Sequence, residues 1–135
     1  MIRAWNSRSY GRSSKALRLT KEQHLTKAVE NERFAATIDT STVTGVEWAI
    51  TVTFYAALHY IQAYLSTRGQ SYFRHESRGD AIQKDPNIRN AYDDYRELYD
   101  IARDARYDFC NLQSGHLKFA NECLVAIKAV VVPHL

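Results

Sequence analysis

The chain has 135 residues, enough for one domain that buries a core without disulfide or metal staples. Charged residues are 24% of it and apolar ones 45%, which excludes a disordered chain. Five glycines and two prolines argue against a turn-rich all-β fold and for long helices.

The net charge is +3, but the charge is unevenly placed. Arg3, Arg8, Arg12, Lys15, Arg18 and Lys21 all precede the first acidic residue, Glu22. We read residues 1–18 as a basic N-terminal arm and 19–135 as the folded domain. An acid-free, Arg- and Ser-rich start suits a nucleic-acid arm or a transit peptide. The structural alternative is a surface extension docked on a neighbour, and charge pattern alone favours it. No continuous apolar segment follows the charges, so a secretory signal is not expected.

The first helix is expected within "LTKEQHLTKAVENERFAATID", residues 19–39. Thr20 with Gln23 three residues on is a capping-box pattern. Leu25, Ala28, Val29 and Ala36 form its expected apolar face, and His24 is assigned to the solvated face. "TSTVTG" interrupts. The second helix is expected from Thr42 to Thr67, with Ile50, Phe54, Ala57, Leu58, Ile61 and Leu65 at helical spacing. Trp48, Val52, Tyr55, His59 and Gln62 form a second stripe, so this helix should be central. The β-branched residues near its start make a strand the competing reading, but length and period favour a helix. Glu47, His59 and Gln62 break its apolar run, so a buried helix is expected rather than a membrane span. Gly69 is placed to end it.

"GQSYFRHESRG" reads as a loop holding a basic cluster, Arg74, His75 and Arg78, suited to phosphate. A short helix is expected over about 76–84, broken at Asp85-Pro86. The fourth helix is expected from Pro86 to Asp108, burying Ala91, Tyr95, Leu98, Ala102 and Ala105. The fifth is expected from Ser114 to near Pro133, burying Leu117, Ala120, Leu124, Ile127 and Val131. The expected fold is therefore all-α: an antiparallel up-down bundle of four long helices plus one short helix, with the basic arm in front.

No Gly-rich phosphate loop, HExxH, GxSxG or Cys/His metal pattern occurs, so no cofactor and no metal are expected. Cys110 and Cys123 form no CxxC pair; Cys123 lies on the apolar stripe of the fifth helix. A reduced, cytoplasmic protein is the default expectation. His116 and His134 read as surface and terminal residues. On the fourth helix Arg103 and Arg106 lie one turn apart, and Tyr99 and Tyr107 flank Arg103 at the same spacing. Arginine presents a fixed fork of donors to phosphate, and tyrosine stacks on bases. Asp94, Asp100, Asp104 and Asp108 run through the same helix and offer ordinary ion pairs instead.

The order and character of "FYAALHYIQAYLSTRG", "FRHESRGDAI" and "YRELYDIARDARYD", followed by an amphipathic last helix, resembles the HEPN superfamily over residues 42–130. The resemblance implies an all-α bundle, a homodimer and a role in RNA-linked toxin-antitoxin or defence systems. An antitoxin or nucleotidyltransferase partner is expected with it; no apolar run reaches the length of a membrane span, so no membrane contact is expected. Many members are metal-independent ribonucleases using an Arg and a His four to six residues apart; others are non-catalytic binding modules contacting a partner protein or nucleotide. Here no histidine follows Arg103 or Arg106 at that spacing, and Arg18–His24 and Arg68–His75 lie in other elements. The expected site is therefore His59 and Arg103 as catalytic candidates, with Arg74, His75, Arg78, Tyr99, Arg106 and Tyr107 as RNA or phosphate contacts.

Overall fold

The computed structural model describes residues 18–108 and 111–135; the basic arm up to residue 17, and Cys110, lie outside them. Five α-helices follow one another: α1 (Lys21–Thr37), α2 (Val43–Thr67), α3 (His75–Lys84), α4 (Tyr92–Tyr107) and α5 (Ser114–Val131). Short 3-10 turns at Arg89–Ala91 and Val132–His134 complete the described residues, which contain no strand. No helix among them is long and apolar enough to cross a membrane.

Helix boundaries follow local chemistry. Thr20 caps α1: its hydroxyl accepts from Gln23 N at 3.2 Å, and the Gln23 side chain accepts from Thr20 N at 2.9 Å. Two of the four orphan donors of the first turn are thus satisfied reciprocally. Thr42 caps α2 through Gly45 N at 3.0 Å. Gly69, with φ of 69°, carries the chain out of α2 in the left-handed region where a side chain is strained.

α2 is the central element, and α1, α4 and α5 all pack on it. Ile50, Phe54, Ala57, Ile61 and Leu65 of α2 meet Tyr95, Leu98 and Ala102 of α4 and Ala120, Cys123, Ile127 and Val131 of α5 in one core. Each large side chain withdrawn from water there contributes about 1.5–3 kcal/mol before conformational entropy is charged against it. Burial, helped by Asp94, Glu97 and Glu122, pushes the Cys123 thiol up to about 11, which leaves it an inert core residue.

Several expectations are corrected. The second stripe of α2 splits: Val52 and Gln62 are buried, whereas Trp48 is 58% exposed and Tyr55 is exposed. On that side the end of α4, at Ala105 and Arg106, leaves a pocket beside Trp48. Of α1 only His24 and Ala28 are buried, and Val29 and Ala36 face out. α1 lies on α2 through its 24/28 edge, so the solvated assignment of His24 is wrong. α4 begins at Tyr92, not Pro86. The Asp85 carboxylate holds the preceding turn, accepting from Asn87 N at 2.9 Å and from the Tyr64 hydroxyl at 2.8 Å. That turn seats Ile88 fully in the core before helix resumes. The basic segment 74–78 is not a loop either. His75 is the first residue of α3, with Arg74 as its N-cap residue, and Arg78 lies one turn in.

Candidate phosphate-binding site

Where α2, α3 and α4 meet, polar side chains converge on a buried arginine. Arg78 is only 5% exposed. Its Nη1 donates to the Tyr95 hydroxyl at 2.9 Å and its Nη2 to the Tyr72 carbonyl at 3.0 Å. Gln62 of α2 donates its amide to the same carbonyl. Arg78 Nε and Gln62 Oε1 are buried and have no hydrogen-bond partner among the described residues. Among the described residues no carboxylate lies within ion-pair distance of Arg78, and the ion pair they form is Lys128–Glu32 at 2.9 Å. A buried cation without an anion is costly, so this guanidinium leaves an uncompensated positive field.

His75 shares the Tyr95 hydroxyl, its Nδ1 lying 2.9 Å away. Its ring stacks face to face on Tyr99, with centroids 3.3 Å apart and planes 5° apart. Proton accounting assigns the tautomer. The Tyr95 oxygen accepts from Arg78, and its own proton needs an acceptor, which His75 Nδ1 supplies. His75 then carries its proton on Nε2 and presents a neutral donor on the far side of the ring. Burial, then the Arg78 charge, lowers the His75 pKa, while Asp100 and Glu76 pull the other way. Burial raises the Tyr95 pKa despite Arg78, so the phenol keeps its proton.

On the α1 side of the cluster, His24 Nδ1 and His59 Nδ1 lie 3.1 Å apart. One nitrogen donates and the other accepts, so the contact exists only while at least one ring is neutral. Burial, then His24, Lys27 and Arg78, lowers the His59 pKa to about 4. Burial also lowers that of His24. The sign follows directly. Below about pH 6.5 the unfolded chain takes up protons that folded His24, His59 and His75 refuse, so stability falls as pH drops toward about 4. After allowance for partial exposure of the rings, the expected loss between pH 7 and 4.5 from this source is about 1–2 kcal/mol. Urea unfolding at the two pH values checks it, and His59→Gln is expected to flatten the dependence.

Further along α4 the side chains open outward. Arg103 is exposed and Tyr107 is 76% exposed. Arg106 is half-buried, its guanidinium carbon 5.8 Å from the Phe54 ring centre and 6.0 Å from that of Tyr55. Phe54 in turn meets Tyr99 edge-on at 5.6 Å. Buried Phe54 thus lies beneath the surface that links Tyr99 to Arg106.

Of the residues singled out from sequence, His75, Arg78 and Tyr99 are brought into one cluster, and His59 lies close enough to feel the Arg78 charge. Arg74 and Arg103 are exposed, and Arg106 and Tyr107 lie together at the end of α4. His59 and Arg103, the paired catalytic candidates, share no hydrogen bond. Sequence reasoning counted Tyr95 only as core and Gln62 only as stripe. The one signal for Tyr95 was its place one turn before Tyr99. Among the described residues no group of His, Cys, Asp and Glu is arranged to hold a metal ion. Comparison of the chain with protein-family models, with curated proteins and with solved structures finds no match.

Proposed function

We propose that this chain is a HEPN-like, RNA-associated protein that binds a phosphodiester strand along the face shared by α2, α3 and α4. Its helices would form the antiparallel up-down bundle of that superfamily. The observation that carries the reading is Arg78, buried, hydrogen-bonded to neutral oxygens and without a carboxylate among the described residues. A phosphate oxygen near His75 would meet the outward Nε2–H donor, with the field of Arg78 behind it. Arg74 and Arg103 at the rim, and Arg106 beyond Phe54, extend the positive surface; Tyr99 and Tyr107 supply aromatic faces.

Binding is favoured over cleavage. Metal-free transfer to a ribose 2′-hydroxyl needs a base for that proton and an acid for the leaving oxygen. Burial lowers the His59 pKa to about 4 and also lowers that of His75, which disfavours the imidazolium that either ring would need to act as the acid. Cleavage, if the chain performs it, is expected to be slow and to persist in EDTA.

The alternative is a non-catalytic module that contacts a partner protein, an antitoxin or nucleotidyltransferase in the superfamily's terms, or a second copy. The observation favouring it is an open, mostly apolar groove of about 600 Å³ along α5, between Leu117 and Ala129, beside the exposed Val125.

Fluorescence polarisation with a labelled single-stranded oligonucleotide separates the two readings. RNA binding should weaken linearly with log salt concentration. Arg74→Ala and Arg103→Ala should each reduce that slope by about 0.7 while leaving the protein folded. Salt-insensitive behaviour, or binding unchanged in both variants, would favour the partner-contact reading.

A further inference from the structure

We propose that a pocket between the first half of α2 and the end of α4 is a binding site for a guanine base. It has a volume of about 250 Å³ and is lined by Glu47, Trp48, Thr51, Ala105 and Arg106. The inference rests, for its physiological ligand, on the reading of this side of the bundle as an RNA surface, and names the base that surface selects.

Three features of the pocket coincide. Trp48 is 58% exposed, a large aromatic surface left open at the wall of a cavity. Arg106 is held over the Phe54 and Tyr55 rings with its Nη1 buried and without a hydrogen-bond partner among the described residues, so contact with a ligand falls to its other guanidinium nitrogens. Glu47 lines the same space, yet it and Arg106 form no ion pair. An acid and a base facing one cavity without touching leave room for a ligand that satisfies both.

The chemistry of the two groups selects that ligand. A guanidinium fork needs two adjacent acceptors, and a carboxylate accepts from two adjacent donors. Guanine presents O6 and N7 on one edge, and N1–H with the N2 amino group on another. Adenine, cytosine and uracil each lack at least one of these pairs. Stacking on the Trp48 indole holds any base, and the two edge contacts distinguish guanine from the rest. Trp48 lies eleven residues before His59 on α2, about 16 Å along the helix, so the base pocket is separate from the His24–His59 contact.

The same base arises from a free nucleotide or from a strand, and the experiment has an arm for each. The chain holds two tryptophans, so the full-length protein is prepared with Trp5→Phe, leaving Trp48 as the reporter. Its fluorescence is titrated with 5′-GMP, AMP, CMP and UMP, and with oligo-U carrying one central guanine or one central adenine. Quenching by GMP is expected at concentrations at least tenfold below those needed for the other three. Glu47→Gln and Arg106→Lys should each abolish most of that preference without preventing stacking. A guanine preference for both nucleotide and oligonucleotide supports the site in RNA. A preference for GMP without salt-dependent oligonucleotide binding supports a free guanine nucleotide site and removes the RNA reading alone. Equal quenching by all four bases, or no guanine preference in either arm, overturns the proposal.

Discussion

Tyr95→Phe is expected to destabilise the fold by about 2–3 kcal/mol, although it removes one oxygen and no packing volume. Tyr95 is fully buried, and its hydroxyl is the acceptor for Arg78 Nη1 and the neighbour of His75 Nδ1 at 2.9 Å each. Without it a buried charged donor loses its partner, and the loss of a hydrogen bond to an ionised group exceeds that for a neutral pair. The melting temperature should fall by about 10 °C. The imidazole ring should also lose its fixed tautomer. In the wild type, nitrogen-15 correlation spectra at neutral pH should show His75 protonated on Nε2; in Tyr95→Phe they should show a mixture. An unchanged melting temperature together with an unchanged tautomer would remove the Arg78–Tyr95–His75 chain as an organising element of the site.

Gly45→Ala is expected to cost about 3 kcal/mol or more, on the scale of a severe overpacking change. The backbone angle is not the reason, since only Gly69 has a positive φ among the described residues. A methyl group at position 45 would stand 1.7 Å from the Asp39 carbonyl oxygen and 2.9 Å from its carbon. That oxygen belongs to the backbone of the turn joining α1 to α2, where Ser41 N donates to Asp39 Oδ1 at 3.0 Å. The turn must shift to admit the methyl, and it is the turn that joins α1 to α2. Chemical denaturation of Gly45→Ala measures the loss, and Gly115→Ala, which would meet nothing within 4 Å, is the control expected to stay close to wild type.

The helices were legible in the sequence because their ends are written locally. Thr20 with Gln23, Thr42 before the apolar run and Gly69 after it act through neighbours a few residues away. The apolar faces of α4 and α5 were legible because period and burial agree there. The start of α4 was not. Pro86 is a sound first-turn residue, but Tyr64, distant in sequence, engages Asp85 and helps hold a turn at that point. His24 was misassigned because the ring it meets, His59, lies 35 residues away in sequence, where no local pattern points to it.

The candidate site was half legible. Arginines and tyrosines at turn spacing marked α4, and the Arg74–Arg78 segment was singled out as basic. Burial of Arg78 was not visible, because its partners are a loop carbonyl and a tyrosine hydroxyl rather than an acidic residue at readable spacing. The pairing of His75 with Tyr99 joins the start of one helix to the middle of another, which no local pattern encodes. Trp48 illustrates the converse. Its stripe looked like core, but the end of α4 meets α2 there across a pocket and leaves the indole 58% exposed.

The most direct test of RNA binding at the α2–α3–α4 face is a nitrogen-15 chemical-shift titration of the full chain with a short single-stranded RNA. Shifts are predicted to concentrate at His59, at Arg74 to Arg78 and from Tyr99 to Tyr107, and to diminish as salt rises. Shifts confined to Leu117–Ala129 on α5, or none at saturating RNA, would contradict it and leave the chain as a protein-contact module.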